Sequence, residues 1–328
     1  MDQIGMFGQA PPAVQHEPPT SDDVQVAASL PVDVRLGTSS WSFEGWSGIL
    51  WRGTPSQALL AKEGLPAYSA NPLFRAVGVD RTFYKPVDTE TAKQWAQQVP
   101  QDFRFLVKAH DHVTTARFPK HPRFGRRAGQ LSEQFLDAEY ATQVVIDPIR
   151  RGLGERLGVI LFQFPPHDPR DLGETPRAFA IRLYRFLKAL PPDVPVAVEI
   201  RNEWALGPDY AGALRESGTS HCFNVQTGMP SIPVQRQVVG NHSPQCIVRW
   251  LLPVGMRYAD AREQFAPFNA LAAPAPDIRQ VIAQLIAQAV DDGKPALGIV
   301  NNKAEGCSPL SVRALAHRLV RDDLPAAK

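Results

Sequence analysis

The strongest constraint on this chain is an alternation. From residue 32 onward, eight short apolar runs are separated by segments of helical character. The runs lie at 32–39, 75–84, 103–110, 158–164, 219–224, 246–251 and 296–302, with the fifth starting at residue 196. Runs rich in β-branched residues and closed by turn residues read as buried strands. The helical segments lie at 59–68, 88–99, 131–149, 176–190, 209–217, 278–290 and 308–320. Asp88 and Thr89 are candidate caps for the second, and Ser308 for the last. Eightfold strand–helix alternation predicts an α/β fold, a single (β/α)8 TIM-type barrel. An open doubly wound sheet is the rival, but it needs fewer strands and a Gly-rich phosphate loop after the first. Gly37-Thr-Ser-Ser is not such a loop.

Residues 1–30 are rich in Pro, Gln and Asp and lack periodicity, so they read as a disordered N-terminal tail. The barrel is expected over 31–323, with a C-terminal tail at 324–328. A net charge of +2 is too mild to demand nucleic acid or a membrane surface as partner. No apolar run is long enough to cross a bilayer, and no secretory signal opens the chain. Cys222, Cys246 and Cys307 form no CxxC pair. So sparse a set fits a reducing compartment, and a cytoplasmic location is expected.

Barrel sites are built where strands end and loops begin. The stretch Val196-Ala-Val-Glu-Ile-Arg-Asn-Glu-Trp204 carries that pattern most clearly. Alternation puts Ala197, Glu199 and Arg201 on one face, charged only near the end. A structural ion pair closing the strand explains Glu199 and Arg201 about as well as a site does. The other strand ends favour a site. They offer Thr38, Ser39 and Trp41 after the first strand, and Asp80, Thr82 and Tyr84 after the second. Lys108 and His110 follow the third, Gln163 the fourth, Arg249 the seventh, and Asn301 and Asn302 the eighth.

These residue types suit particular chemistry. Glu199 serves as a general acid or base if burial raises its pKa, and Asp80 could be a second carboxylate. Lys108 would hold an oxyanion or form a Schiff base. Arg201 and Arg249 present forks for carboxylate or phosphate. Trp41, Tyr84 and Trp204 could wall the pocket, although ordinary packing is the commoner fate of an aromatic. His110 and His112 flank Asp111 at a spacing that is no zinc signature, so no cofactor is predicted and a divalent metal is the minority reading. Cys307 reads as a buried residue rather than a reactive thiol. The basic run 117–127, interleaved with Phe118 and Phe124, reads as a solvated loop or a guide for small anions ahead of a nucleic-acid contact.

Taken together, the strings GTSSWSFEGWSGILW (37–51), TFYKP (82–86), VPQDFRFLVKAH (99–110), ILFQFPP (160–166), AVEIRNEW (197–204) and VNN (300–302) resemble the YecE-like family, domain of unknown function 72. The resemblance implies a TIM-type barrel with a pocket at the strand ends and no assigned activity. It places pocket residues at Thr38, Trp41, Thr82, Tyr84, Lys108, Gln163, Glu199, Arg201, Trp204, Arg249, Asn301 and Asn302. The chain departs from the family pattern at Asp80, where Glu is expected, and at the neighbouring Arg81. It departs again at Asn224, where Asp is common, and in Val-Arg-Trp-Leu-Leu-Pro (248–253), which lacks a family His and second Arg.

The resulting expectation is an enzyme of hydrolase or isomerase type acting on a small anionic, phosphorylated or sugar-like molecule. Glu199, Lys108, Asp80 and His110 are its candidate catalytic residues. A nucleic-acid-processing barrel and a non-catalytic ligand-binding barrel are the alternatives.

Overall fold

The computed structural model describes residues 13–320 except Glu174. Eight parallel strands close into a barrel in chain order, each pairing with the next and the last with the first. They are β1 (Val34–Thr38), β2 (Ala76–Val79), β3 (Arg104–Lys108), β4 (Leu157–Phe164), β5 (Val196–Ile200), β6 (Ser220–Val225), β7 (Cys246–Trp250) and β8 (Ala296–Val300). Such strands are buried on both faces, which is why they read as near-continuous apolar runs. One set of side chains fills the barrel: Ala76, Leu106, Val159, Leu161, Ala197, Cys222, Ile247, Leu297 and Ile299. The opposite set, including Val34, Leu36, Phe162 and Val248, packs outward beneath the helices.

Closure requires backbones to approach where β1 meets β2. A Cβ on Gly37 would stand 1.8 Å from the Ala76 carbonyl oxygen, so only glycine fits.

Helix starts follow capping chemistry. Asp88 accepts a hydrogen bond from the Thr91 amide at 2.8 Å, capping Thr89–Gln97. The expected cap Ser308 instead lies inside its helix, Ser308–Arg318, and Cys307 occupies the cap position. The Ser308 hydroxyl turns inward to Asn302 Oδ1 at 2.7 Å.

Three further expectations need correction. Helix does not begin at residue 131; it begins at Ala138, capped by Asp137. Leu136 has φ 56°, a left-handed conformation that no helix continues through. The second strand stops at Val79, and a 3-10 turn follows over Arg81–Phe83.

The reading of residues 1–30 as a disordered tail also needs correction over its described part. Ser21–Ser29 is a helix capped by Thr20, with Val26 and Ala27 buried. Val14 and Leu30 are buried beside it, and Arg313 holds the buried Asp23 at 2.7 Å. This segment covers barrel-side surface, which outweighs its polar composition. Residues 1–12 and the expected C-terminal tail, 324–328, lie outside the described residues.

Candidate active site

Strand parity builds the site. The inward set continues one step further toward the C-terminal ends of the strands: Leu106 is followed by Lys108, Leu161 by Gln163, Ala197 by Glu199, Cys222 by Asn224 and Ile247 by Arg249. The strand register then brings neighbours level, pairing Gln163 with Glu199 and Asn224 with Arg249. An apolar plug thus carries a polar layer on its upper face.

Charge in that layer is tightly coupled. Glu199 is fully buried. Its Oε2 accepts from Arg249 Nη1 at 2.6 Å and its Oε1 from Arg201 Nε at 2.9 Å. Arg249 Nη2 donates to Asp80 Oδ1 at 3.0 Å. Lys108 Nζ stands 3.9 Å from Asp80 Oδ1 and 4.1 Å from the centre of the Phe83 ring. The side chains of Arg201 and Asp80 are 27% and 32% exposed, whereas Lys108, Glu199 and Arg249 form the buried floor. Three cations face two carboxylates, so with Lys108 protonated the mouth carries one positive charge in excess.

Burial alone would raise the Glu199 pKa. The cations Arg249, Arg201 and Lys108 outweigh it and hold the carboxyl at about 2. The expectation of a burial-raised Glu199 that donates a proton near neutrality is therefore corrected: Glu199 is a fixed carboxylate. Burial, helped by Arg249 and Arg201 and opposed by Asp80, lowers Lys108 to about 8.

Several expected pocket residues do other work. Thr38 faces outward, where its amide and hydroxyl meet the Tyr68 hydroxyl, each at 2.9 Å. The Thr82 hydroxyl spans β2 and β3, 2.8 Å from the Val79 carbonyl and 2.7 Å from that of Lys108. The aromatic wall does not assemble. Trp41 is buried with the Arg81 guanidinium 4.6 Å over its ring, Tyr84 is exposed, and Trp204 packs edge-on against Phe179 of the helix Pro176–Ala189. Asn302 is a buried bracket whose Oδ1 accepts from Trp46 Nε1 and the Ser308 amide. Asn301 Oδ1 accepts from the Lys303 amide at 3.0 Å.

His110 also departs from expectation. β3 ends at Lys108, and the chain turns so that His110 Nδ1 lies 2.8 Å from the Tyr140 hydroxyl and its ring stacks on His112. It joins no member of the Glu199 cluster. Burial, with His112 and Arg127, lowers it to about 4. Cys307 is buried, and burial raises its thiol to about 11, which fits the unreactive reading.

Gln226 was missed, and Asn224, noted only as a departure from the family pattern, was not placed in the pocket. Both follow Cys222 at two-residue steps, and period-two alternation was the signal available. Asn224 Oδ1, Gln226 Nε2, Ser39 Oγ and Arg249 Nε are buried without a hydrogen-bond partner among the described residues.

The basic loop does not present a stacking surface. Phe118 and Phe124 are buried, and Arg117 is held by Asp171 at 2.9 Å. Another depression, at the N-terminal ends of β5 and β6, is lined by Pro191, Val196 and Ser220, with only the exposed charges Lys188 and Asp193. No helix among the described residues is long and apolar enough to cross a membrane.

Comparison with known proteins fits this architecture. The barrel resembles the crystal structure of a DUF72 family protein from Enterococcus faecalis V583, with TM-score 0.55, 15% identity, and coverage of 88% of this chain and 97% of that one. A DUF72 family protein from Thermotoga maritima MSB8 gives TM-score 0.56 at 18% identity, over 87% of this chain and 97% of that one. The UPF0759 protein YunF of Bacillus subtilis (strain 168) is 28% identical over 183 residues, 53% of this chain. The match spans only 57% of the length of that curated relative. The family profile described as "Protein of unknown function DUF72" matches residues 35–328, far more than half of the chain. The chain therefore belongs to the DUF72 family.

Proposed function

We propose that this protein is an enzyme of hydrolase or isomerase type. Its substrate would be a small anionic molecule, phosphorylated or sugar-like, bound over the charged layer of the barrel. The single supporting observation is the convergence of Lys108, Glu199, Arg201, Arg249 and Asp80 from the ends of four strands, with one positive charge in excess.

The roles follow from position. Glu199 holds Arg201 and Arg249 in fixed orientation, so their remaining donors are preorganised for an anion. Arg201 is the most accessible cation of the three and makes first contact. Lys108 stands beside Asp80, where its amine can take or return a proton or face a developing oxyanion. The buried, unpaired Asn224 Oδ1 and Ser39 Oγ offer hydrogen-bonding groups for a polyhydroxylated body.

The test is calorimetric titration with inorganic phosphate, ribose 5-phosphate and glucose 6-phosphate, with turnover assayed in parallel. At least one is expected to bind wild type and to bind Arg201→Gln about tenfold more weakly. Lys108→Met is expected to retain binding of that ligand and lose turnover. Equal binding by wild type and Arg201→Gln would sink the anion site. Binding without turnover in wild type would replace the enzyme with a ligand-binding barrel. The buried state of Phe118 and Phe124 gives no support to a nucleic-acid reading.

A further inference from the structure

Three metal-ligating groups on consecutive residues converge just beyond β3. His110 Nε2 lies 3.6 Å from Asp111 Oδ1, and His112 Nε2 lies 3.9 Å from the same oxygen. All three donor atoms lie within 4.8 Å of one another. Ligands held about 2.0–2.2 Å from a shared ion stand roughly 3.0–3.6 Å apart. The two imidazoles, stacked 4.3 Å apart, must tilt toward one another for both nitrogens to meet one ion.

The outer contacts are those a metal site needs. His112 Nδ1 lies 3.2 Å from Gln134 Oε1, and His110 Nδ1 lies 2.8 Å from the Tyr140 hydroxyl. A carbonyl oxygen only accepts, so His112 carries its proton on Nδ1 and its lone pair on Nε2. That contact selects the tautomer in which His112 Nε2 is the ligand atom, and the Nδ1 contacts fix the ring orientations. The Arg127 guanidinium stands beside the same ring, over Phe118, which packs edge-on against His112.

Arg127 is an exposed side chain at the end of the turn Pro122–Arg127. An exposed cation thus stands beside the ring whose nitrogen would bind the ion.

We propose that His110, Asp111 and His112 bind one divalent transition-metal ion of zinc type, and that Arg127 is the cation this ion displaces. Two imidazoles and one carboxylate suit such an ion and leave coordination positions open. The three buried cysteines offer no competing surface thiol. The proposal is independent of the anion site at Glu199.

The test uses the full chain, stripped with chelator and titrated with Zn2+ by calorimetry and with Co2+ by visible absorption. Saturable one-to-one binding is expected. Asp111→Asn and His112→Gln should each weaken it about tenfold or more, and Tyr140→Phe by about tenfold. Arg127→Gln should tighten binding by about threefold or more, because the competitor is gone. Far-ultraviolet circular dichroism of each variant checks the fold. No saturable binding by wild type would overturn the proposal. So would wild-type affinity in folded His112→Gln and Asp111→Asn.

Discussion

Arg249 Nη1 and Glu199 Oε2 are 2.6 Å apart, and both side chains are essentially removed from solvent. The same guanidinium reaches Asp80 at 3.0 Å, so one cation bridges two carboxylates. Breaking a buried pair leaves an uncompensated charge and costs about 3–5 kcal/mol. Glu199→Gln should cost that amount in urea unfolding. Arg249→Met should cost at least as much, because Glu199 and Asp80 each lose a partner at once. A cost below about 1 kcal/mol for either would show that the pair is not buried as described.

The same pair sets an acid limit. Glu199 is held at about 2, below its ordinary value of 4.5. A depressed carboxyl contributes stability that is complete above its unfolded pKa and is lost as pH falls through its folded one. Wild type should therefore lose about 3 kcal/mol between roughly pH 5 and pH 2 from this group. Glu199→Gln, already weaker, should show a correspondingly flatter acid limb. Superimposable slopes for the two proteins in acid denaturation would contradict the ionised state of Glu199.

Much of this architecture was legible in the sequence because strand parity is a simple rule. Lys108, Glu199 and Arg249 each sit two residues beyond an inward apolar residue, and all three converge. Thr82 and Tyr84 were misplaced because a 3-10 turn replaces the strand after Val79, and period-two reasoning ends with the strand. Thr38 was misread because β1 is buried on both faces, so its outward hydroxyl still meets a partner, Tyr68. The state of Glu199 was hidden because burial and neighbouring cations pull its pKa in opposite directions. Only distances decide which wins. Substrate and reaction were not legible, since charge type and position are common to many chemistries.

The segment before β1 gives a separate test. Val14, Val26 and Leu30 are buried, Asp23 is paired to Arg313, and the Arg75 guanidinium reaches the Leu30 and Pro31 carbonyls. Burying one such aliphatic side chain contributes about 1.5–3 kcal/mol as an upper figure. A variant beginning at Pro31 should therefore lose about 3–6 kcal/mol and expose additional apolar surface to a dye. Unchanged thermal stability would return these residues to the status of a tail.

Gly37 tests barrel closure itself. The β1–β2 pairing is short, with Gly37 opposite Ala76 and Thr38 opposite Val77. The position where a Cβ would grow is taken up by the Ala76 carbonyl, whose oxygen would stand 1.8 Å away. That oxygen also accepts from the Tyr68 hydroxyl at 3.0 Å, so it cannot retreat without breaking a buried hydrogen bond. Backbone cannot yield as a side-chain end can, and Gly37→Ala must spread β1 from β2. The expected loss is about 4 kcal/mol or more, among the largest for one methyl group, measured as a shift in the urea midpoint. Gly53→Ala, at an open turn where nothing lies within 4 Å of the new Cβ, is the control. Its φ of 68° makes it strained but not obstructed, with an expected cost of about 1–2 kcal/mol. Equal costs for the two would mean that β1 and β2 do not meet at the register described.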